Sequence, residues 1–269
     1  MKKRVIVAMV AALTLALAGC GQSGSGSESA SGEQTAESAQ TAESADAGSG
    51  SSTREQLSLE AEDSPEWVTA LDASGDAQQM MVVAIYDTST AWVSMHEKED
   101  DGTWKMIMST PGYIGINGSC ADEDHVEGCG QTPIGTYHFN AAFGIADDPG
   151  CAIPYVKVTD DLYWSGDQNE GMCYNQMVDI NDYPDLDTEN SEHLIEYTYQ
   201  YQYGLNISFN EDGELGRGSA IFLHCLGDRK PYTGGCVAIP MNQMRYVMEN
   251  VTEDCVVVID TMEALNAEF

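Results

Sequence analysis

GSAIFLHCLGDRKPYTGGCVAIP, residues 218 to 240, is the stretch from which the rest of the chain is read. AIFLHC, 220 to 225, is an apolar run of strand length, and His224 ends AIFLH as a side chain emerging from the edge of a buried strand would. Gly234 and Gly235 admit backbone angles closed to other residues. A bend there aims the N–H groups of Gly235 and Cys236 at one point, the arrangement of an oxyanion hole. His224 precedes Cys236 by twelve residues. A histidine base near a thiol forms the thiolate–imidazolium pair that acyl transfer uses. Strand alternation turns Cys225, the rival nucleophile, away from the side His224 faces.

Outward from this stretch the chain reads as mainly β. MMVVAIY (80 to 86), AWVSMHE (91 to 97), WKMIMST (104 to 110), GTYHF (135 to 139), YVKV (155 to 158), LNISF (205 to 209) and CVVVID (255 to 260) are further runs of strand length. The DG pairs at 101 to 102 and 212 to 213 are turn chemistry. Pro240 to Val251 differs: Met241, Met244, Val247, Met248 and Val251 fall at helical spacing, a core stripe rather than a cofactor box, and Pro240 suits a first turn. Residues 192 to 203 fit a helical period through Leu194, Tyr197, Thr198 and Tyr201 and a strand period through alternate tyrosines. The helix is the expectation, with Ser191 as its cap. Residues 64 to 269 fit one domain.

The residues before it are of another kind. Lys2, Lys3 and Arg4 precede an apolar run, Val5 to Leu17, too short for an ordinary membrane span, and LAGC follows at 17 to 20. Residues 1 to 19 read as a signal peptide, and the small-residue site ending in Cys20 resembles the lipobox of bacterial lipoproteins. That resemblance implies a diacylglyceryl group on Cys20 and a place on the outer face of the bacterial cytoplasmic membrane, facing the cell wall. Gly21 to Gln56 holds no Val, Ile, Leu, Met, Phe, Trp, Tyr or Cys, and QTAESA occurs at 34 to 39 and again at 40 to 45. With the lipidated Cys20, residues 20 to 63 read as a disordered tether. As a flexible chain the 36 residues from Gly21 to Gln56 span about 30–36 Å.

The chain carries 44 Asp and Glu against 11 Lys and Arg, a formal net charge of −33. Such a surface repels polyanions, which argues against a nucleic-acid partner. No CxxC spacing occurs and the five His do not cluster, so no metal site is expected, and no cofactor. The acidic stretch DYPDLDTEN, 182 to 190, lacks EF-hand spacing and reads as a solvated turn. Export makes disulfides feasible: Cys120 with Cys129, or Cys151 with Cys173, would close short loops, with buried free thiols as the other reading.

GSAIFLHC followed by TGGCVAI resembles the catalytic motif of the YkuD-type L,D-transpeptidases, a histidine, a loop, then [ST]-x-G-C, with Thr233, Gly235 and Cys236 in the last positions. Upstream, GINGSCADEDHVEGCGQTPIGTY, 115 to 137, is similar to the family's GxNG and TPxGxY segments, the latter through Thr132, Pro133, Gly135 and Tyr137. The resemblance spans about residues 80 to 259 and implies a YkuD-like catalytic domain, a β-sandwich or mixed sheet with a few short helices. It further implies that Cys236 attacks a peptidoglycan stem tetrapeptide to give a thioester, with His224 as base and Gly235 with Cys236 as oxyanion donors. An amine from another stem then resolves the thioester into a cross-link. Water as the acceptor would give an L,D-carboxypeptidase or endopeptidase, and loss of chemistry a wall-binding lipoprotein. Thr233 and Gly234 are candidates for substrate contact, Arg229 and Lys230 for holding a donor carboxylate, with Arg217 a third base nearby. On the same resemblance, Tyr163, Trp164, Tyr174 and Asn175 form a cap, with Tyr174 touching substrate. Where many members carry Arg or Asn two residues after the Cys, this chain has Ala238, a pattern shared with a branch of the family in Gram-positive bacteria.

Overall fold

The computed structural model describes residues 60–227 and 230–268. The leader, Cys20, most of the tether and Arg229 lie outside the described residues. In chain order the elements are β1 (Glu62–Asp63), α1 (Glu66–Thr69), β2 (Gln79–Asp87), β3 (Thr90–Lys98), β4 (Trp104–Tyr113), β5 (Ser119–Ala121), β6 (Thr132–Gly144) and β7 (Tyr155–Lys157). They continue with β8 (Leu162–Trp164), β9 (Met177–Asp179), β10 (Glu192–His193), β11 (Gly204–Ile207), β12 (Phe222–Cys225), β13 (Val237–Ile239), α2 (Met241–Asn250) and β14 (Val256–Thr261). All eight expected strands are present and the fold is mainly β.

Eight strands run β4-β13-β12-β11-β6-β14-β2-β3, and β3 pairs in turn with β4, so the mixed sheet closes on itself. Inward residues recur at period two, as in Met81, Val83 and Ile85 of β2 or Val257 and Ile259 of β14, and α2 adds Met244, Val247 and Met248 to the same core. The Met stripe is therefore packing. The other face of β2, through Met80, Val82 and Ala84, meets Val68 of α1, Trp104 and Leu265, which explains why the β2 sequence is apolar without alternation. A third cluster, Phe143, Trp164, Leu194, Tyr201 and Phe222, covers the outer side of β12 and includes Cys236.

The expected helix over 192 to 203 does not form. Glu192 and His193 pair with Trp164 and Tyr163 of β8, and the remainder makes two 3₁₀ turns, Leu194–Glu196 and Gln200–Gln202. Tertiary contacts override the local period here: Tyr201 packs edge-on against Phe143 and Phe222, and Leu194 is buried. Ser191 caps nothing; its hydroxyl donates to Asp187 O and accepts from Gly166 N–H. Every described Cys is a free thiol, so neither short-loop disulfide is formed. Residues 182 to 190 fold as turns, with Asp187 Oδ1 accepting the N–H groups of Glu189 and Asn190, and the described residues hold no group of three ligands fit for a metal.

His96 on β3 is fully buried between the hydroxyls of Ser64 and Ser94, each 2.8 Å from a ring nitrogen. Burial pushes it from 6.5 down to about 4. The folded protein thus keeps the ring neutral while the unfolded chain takes a proton below 6.5. Stability from this residue is complete above that value and is lost as pH falls toward 4, by about 3 kcal/mol. Urea titrations at pH 7 and pH 4.5 check this: His96→Gln should flatten the difference, and an unchanged pH response would refute it.

Candidate active site

Parallel pairing of β12 with β13 builds the site. It sets Leu223 opposite Val237 and His224 opposite Ala238. Cys236 immediately precedes β13, so its side chain emerges on the face shared by Phe222, His224 and Ala238. Cys236, His224 and Ala238 all line one cavity of about 810 Å³. Cys225, one step out of phase, points into the core against Tyr203 O, as expected from alternation.

The loop before Cys236 is braced by the two upstream motifs. Ile116 N–H donates to Thr233 O, Thr233 N–H donates to Ile114 O, and Thr132 Oγ1 donates to Gly235 O at 2.6 Å. Gly235 has φ +151°, and a Cβ there would lie 2.9 Å from Gln131 O, so only glycine serves. Thr233 Oγ1 donates to Cys236 O at 2.6 Å and accepts Gly235 N–H at 3.1 Å. The Gly235 N–H is therefore engaged within the loop and is not aimed with that of Cys236 at an empty point. Thr233, Gly234 and Lys230 line the cavity, with Lys230 Nζ over the Tyr232 ring.

The Cys236 thiol donates to Ala220 O at 3.1 Å, and Phe222 N–H points at the sulfur from 3.4 Å. His224 Nδ1 is 2.8 Å from Cys225 O. A carbonyl cannot donate, so Nδ1 carries the proton and Nε2 keeps a lone pair. Among the described residues no hydrogen bond joins thiol and imidazole. Burial, then the charge of Glu192, pushes the Cys236 thiol far up, and burial pushes His224 down to about 4. The expected thiolate–imidazolium pair is thus replaced at rest by a neutral thiol and a neutral imidazole, because the site is too dry for separated charges.

Several expected contacts move. Tyr174 is buried behind the cavity wall, where its hydroxyl accepts Gly218 N–H and bonds Glu127; it props the wall and does not face the cavity. Tyr163 stacks on His193, and Asn175 is buried in hydrogen bonds. Of the expected cap only Trp164 lines the cavity, and Tyr197, Tyr199 and Tyr201 supply its aromatic wall. Arg217 is paired with Asp122 beside a second cavity, lined also by Tyr137. Residues not foreseen as part of the site are Glu127, Glu192, Tyr197 and Tyr201, all on the cavity wall. The tyrosine alternation in 197 to 203 is the one visible signal for Tyr197 and Tyr201; Glu127 and Glu192 have none.

The family model for the L,D-transpeptidase catalytic domain, YkuD, matches residues 82–259. The chain belongs to this family. Its members are cell-wall enzymes, and the matched span holds both strands of the site. The helical cell shape determining protein Pgp2 from Campylobacter jejuni is 15% identical, with a TM-score of 0.36 over 72% of this chain and 54% of that one. A mutant of the same protein is 14% identical with the same TM-score, over 68% and 48%. The chain thus spans about half the length of these structures. No curated protein matches significantly.

Proposed function

We propose that the protein is a peptidoglycan L,D-transpeptidase in which Cys236 carries the acyl group and His224 moves the protons. The observation that supports this best is the presentation of both side chains to one cavity by neighbouring parallel strands. The thiol leaves Ala220 O and gives its proton to His224 Nε2 as sulfur attacks the carbonyl of the third stem residue. The Cys236 N–H stands beside the sulfur and stabilises the oxyanion; Gly235 N–H joins it once released by Thr233. The imidazolium then protonates the departing D-Ala amine, leaving a thioester that an amine of a second stem resolves. Lys230, on the cavity wall, would meet a donor carboxylate, with Arg229 the neighbouring base in sequence. A diacylglyceryl group on Cys20 would hold the enzyme on the outer face of the cytoplasmic membrane, with the tether giving it reach into the wall.

Intact-protein mass spectrometry after incubation with a tetrapeptide-stem muropeptide tests this reading. The wild type should gain the mass of the donor less D-Ala, and Cys236→Ala should gain nothing. Dimeric stems should accumulate with time. Free D-Ala without dimer would overturn the transferase reading in favour of hydrolysis, and no adduct on folded, reduced wild type would overturn both.

A further inference from the structure

Glu192 has no part in the acylation just described and stands against it, since its charge helps to raise the Cys236 thiol. Yet it is firmly built in. Pairing with Trp164 fixes its backbone, its Oε2 accepts the Tyr201 hydroxyl proton, and it lines the cavity that holds Cys236 and His224. The Tyr201 ring stands edge-on to the His224 imidazole with centroids 5.6 Å apart, and Tyr197 stacks on Tyr201 at 4.6 Å. A carboxylate that hinders the first half-reaction is accounted for if it serves the second. There the thioester is neutral and the partner is an alkyl amine, which at neutral pH carries a proton and is no nucleophile until it sheds it. His224, held low by burial, is too weak a base to remove that proton.

Resting on the acyl-enzyme reading above, we infer that Glu192 receives the acceptor: its carboxylate binds the incoming alkylammonium and takes the first proton. The step balances. The ammonium and the carboxylate become amine and carboxylic acid, and the nitrogen lone pair forms the C–N bond at the thioester carbonyl. The second amine proton passes to His224 Nε2. The C–S bond then breaks, and the sulfur leaves with the electron pair and recovers that proton from His224. Glu192 returns its own proton to water as product departs. Burial, with the charge of Glu127 and against the Tyr201 hydrogen bond, pushes Glu192 up to about 7, which makes it a stronger base than an ordinary carboxylate and leaves about half of it ionised at neutrality. Glu127 is held by Tyr174 and Ser219, and Glu189, Glu196, Lys230, His224 and Tyr197 line the same cavity. Carboxylates outnumber bases there, as suits a cationic acceptor.

The test compares two acceptors on the wild-type protein and Glu192→Gln: a peptide offering a lysine side-chain amine, and hydroxylamine, which is uncharged at neutral pH. Formation of the acyl-enzyme by each is followed separately by mass. Glu192→Gln keeps an oxygen for the Tyr201 hydroxyl, and its ratio of lysine-amine to hydroxylamine transfer should fall roughly 10–100-fold. In the wild type, transfer to the lysine amine should level off above about pH 7, where Glu192 is ionised. In the variant it should keep rising toward the amine's own pKa, and Glu192→Asp should restore part of the ratio. An unchanged ratio and pH profile with normal acyl-enzyme would overturn the role of Glu192 alone. Absence of a wild-type adduct would overturn the acyl-enzyme reading and this inference with it.

Discussion

Replacing His224 with alanine should slow formation of the Cys236 adduct by about 10²–10⁴-fold, the usual worth of a positioned base. The argument rests on the neutral resting state. The thiol is buried at 8% exposure, bonded to Ala220 O, and raised by burial and by Glu192, so almost none of it is thiolate at neutral pH. Sulfur can attack only as its proton leaves, and the Nε2 lone pair, fixed by the Nδ1 bond to Cys225 O, is the acceptor the cavity supplies. Because His224 is pushed down to about 4, the acylation rate should show no rise from about pH 5 to 8; it should fall in more acid solution and decline modestly above about pH 7, where Glu192 gains the charge that opposes loss of the thiol proton. A preformed ion pair would instead give a rise between pH 6 and 7. Mass-resolved kinetics across that range distinguishes the two. A His224→Ala rate within a few-fold of wild type, in protein shown folded by circular dichroism, would remove the histidine from the mechanism.

The parts of this site that could be read from sequence are those carried by long periodic runs. β2, β3, β4, β6 and β14 are six to thirteen residues each, long enough for burial to impose a pattern, and the His224 strand declared itself by ending an apolar run. Strands β8, β9 and β10 have two or three residues, too few for any period, and exist because each finds a partner across the chain. Glu192 lies in one of them. Its place on the cavity wall depends on Trp164, 28 positions earlier in sequence, and nothing local foretells that. Tyr174 is the opposite case: the residue type suits substrate contact, but its hydroxyl is engaged by Glu127 and by Gly218 N–H. The protonation state of the pair is not legible in the sequence, because composition does not reveal how dry a site is, and dryness decides which protonation state of a Cys–His pair is stable.

Asn175→Ala should lower stability by about 4 kcal/mol or more, through a residue that touches neither catalytic side chain. Asn175 is 7% exposed and holds a left-handed conformation at φ 57°, which asparagine tolerates better than alanine. Its Nδ2 donates to Phe209 O at 3.0 Å and to Asn210 O at 2.9 Å, while Oδ1 accepts Trp164 Nε1–H at 2.9 Å and Ala220 N–H at 3.0 Å. Truncation strands three buried groups, Phe209 O, Trp164 Nε1–H and Ala220 N–H, at about 1–3 kcal/mol each, while Asn210 O keeps the Gly213 N–H; alanine in the left-handed region adds about 1 kcal/mol more. In a domain of this size the melting temperature should drop by roughly 8–16 °C. The consequence reaches the nucleophile, because Ala220 itself sits at φ 56° and its carbonyl is the partner of the Cys236 thiol. Below its melting point the variant should therefore also acylate more slowly, as Ala220 relaxes from that strained angle. Asn175→Asp separates the causes. It keeps both acceptor bonds but faces two carbonyls with a charged oxygen, so it should be nearly as damaging at pH 7 and recover stability in acid as the carboxyl gains a proton and becomes a donor. Little loss at any pH would mean that the left-handed backbone, which aspartate tolerates much as asparagine does, and not the hydrogen bonds, is what Asn175 secures.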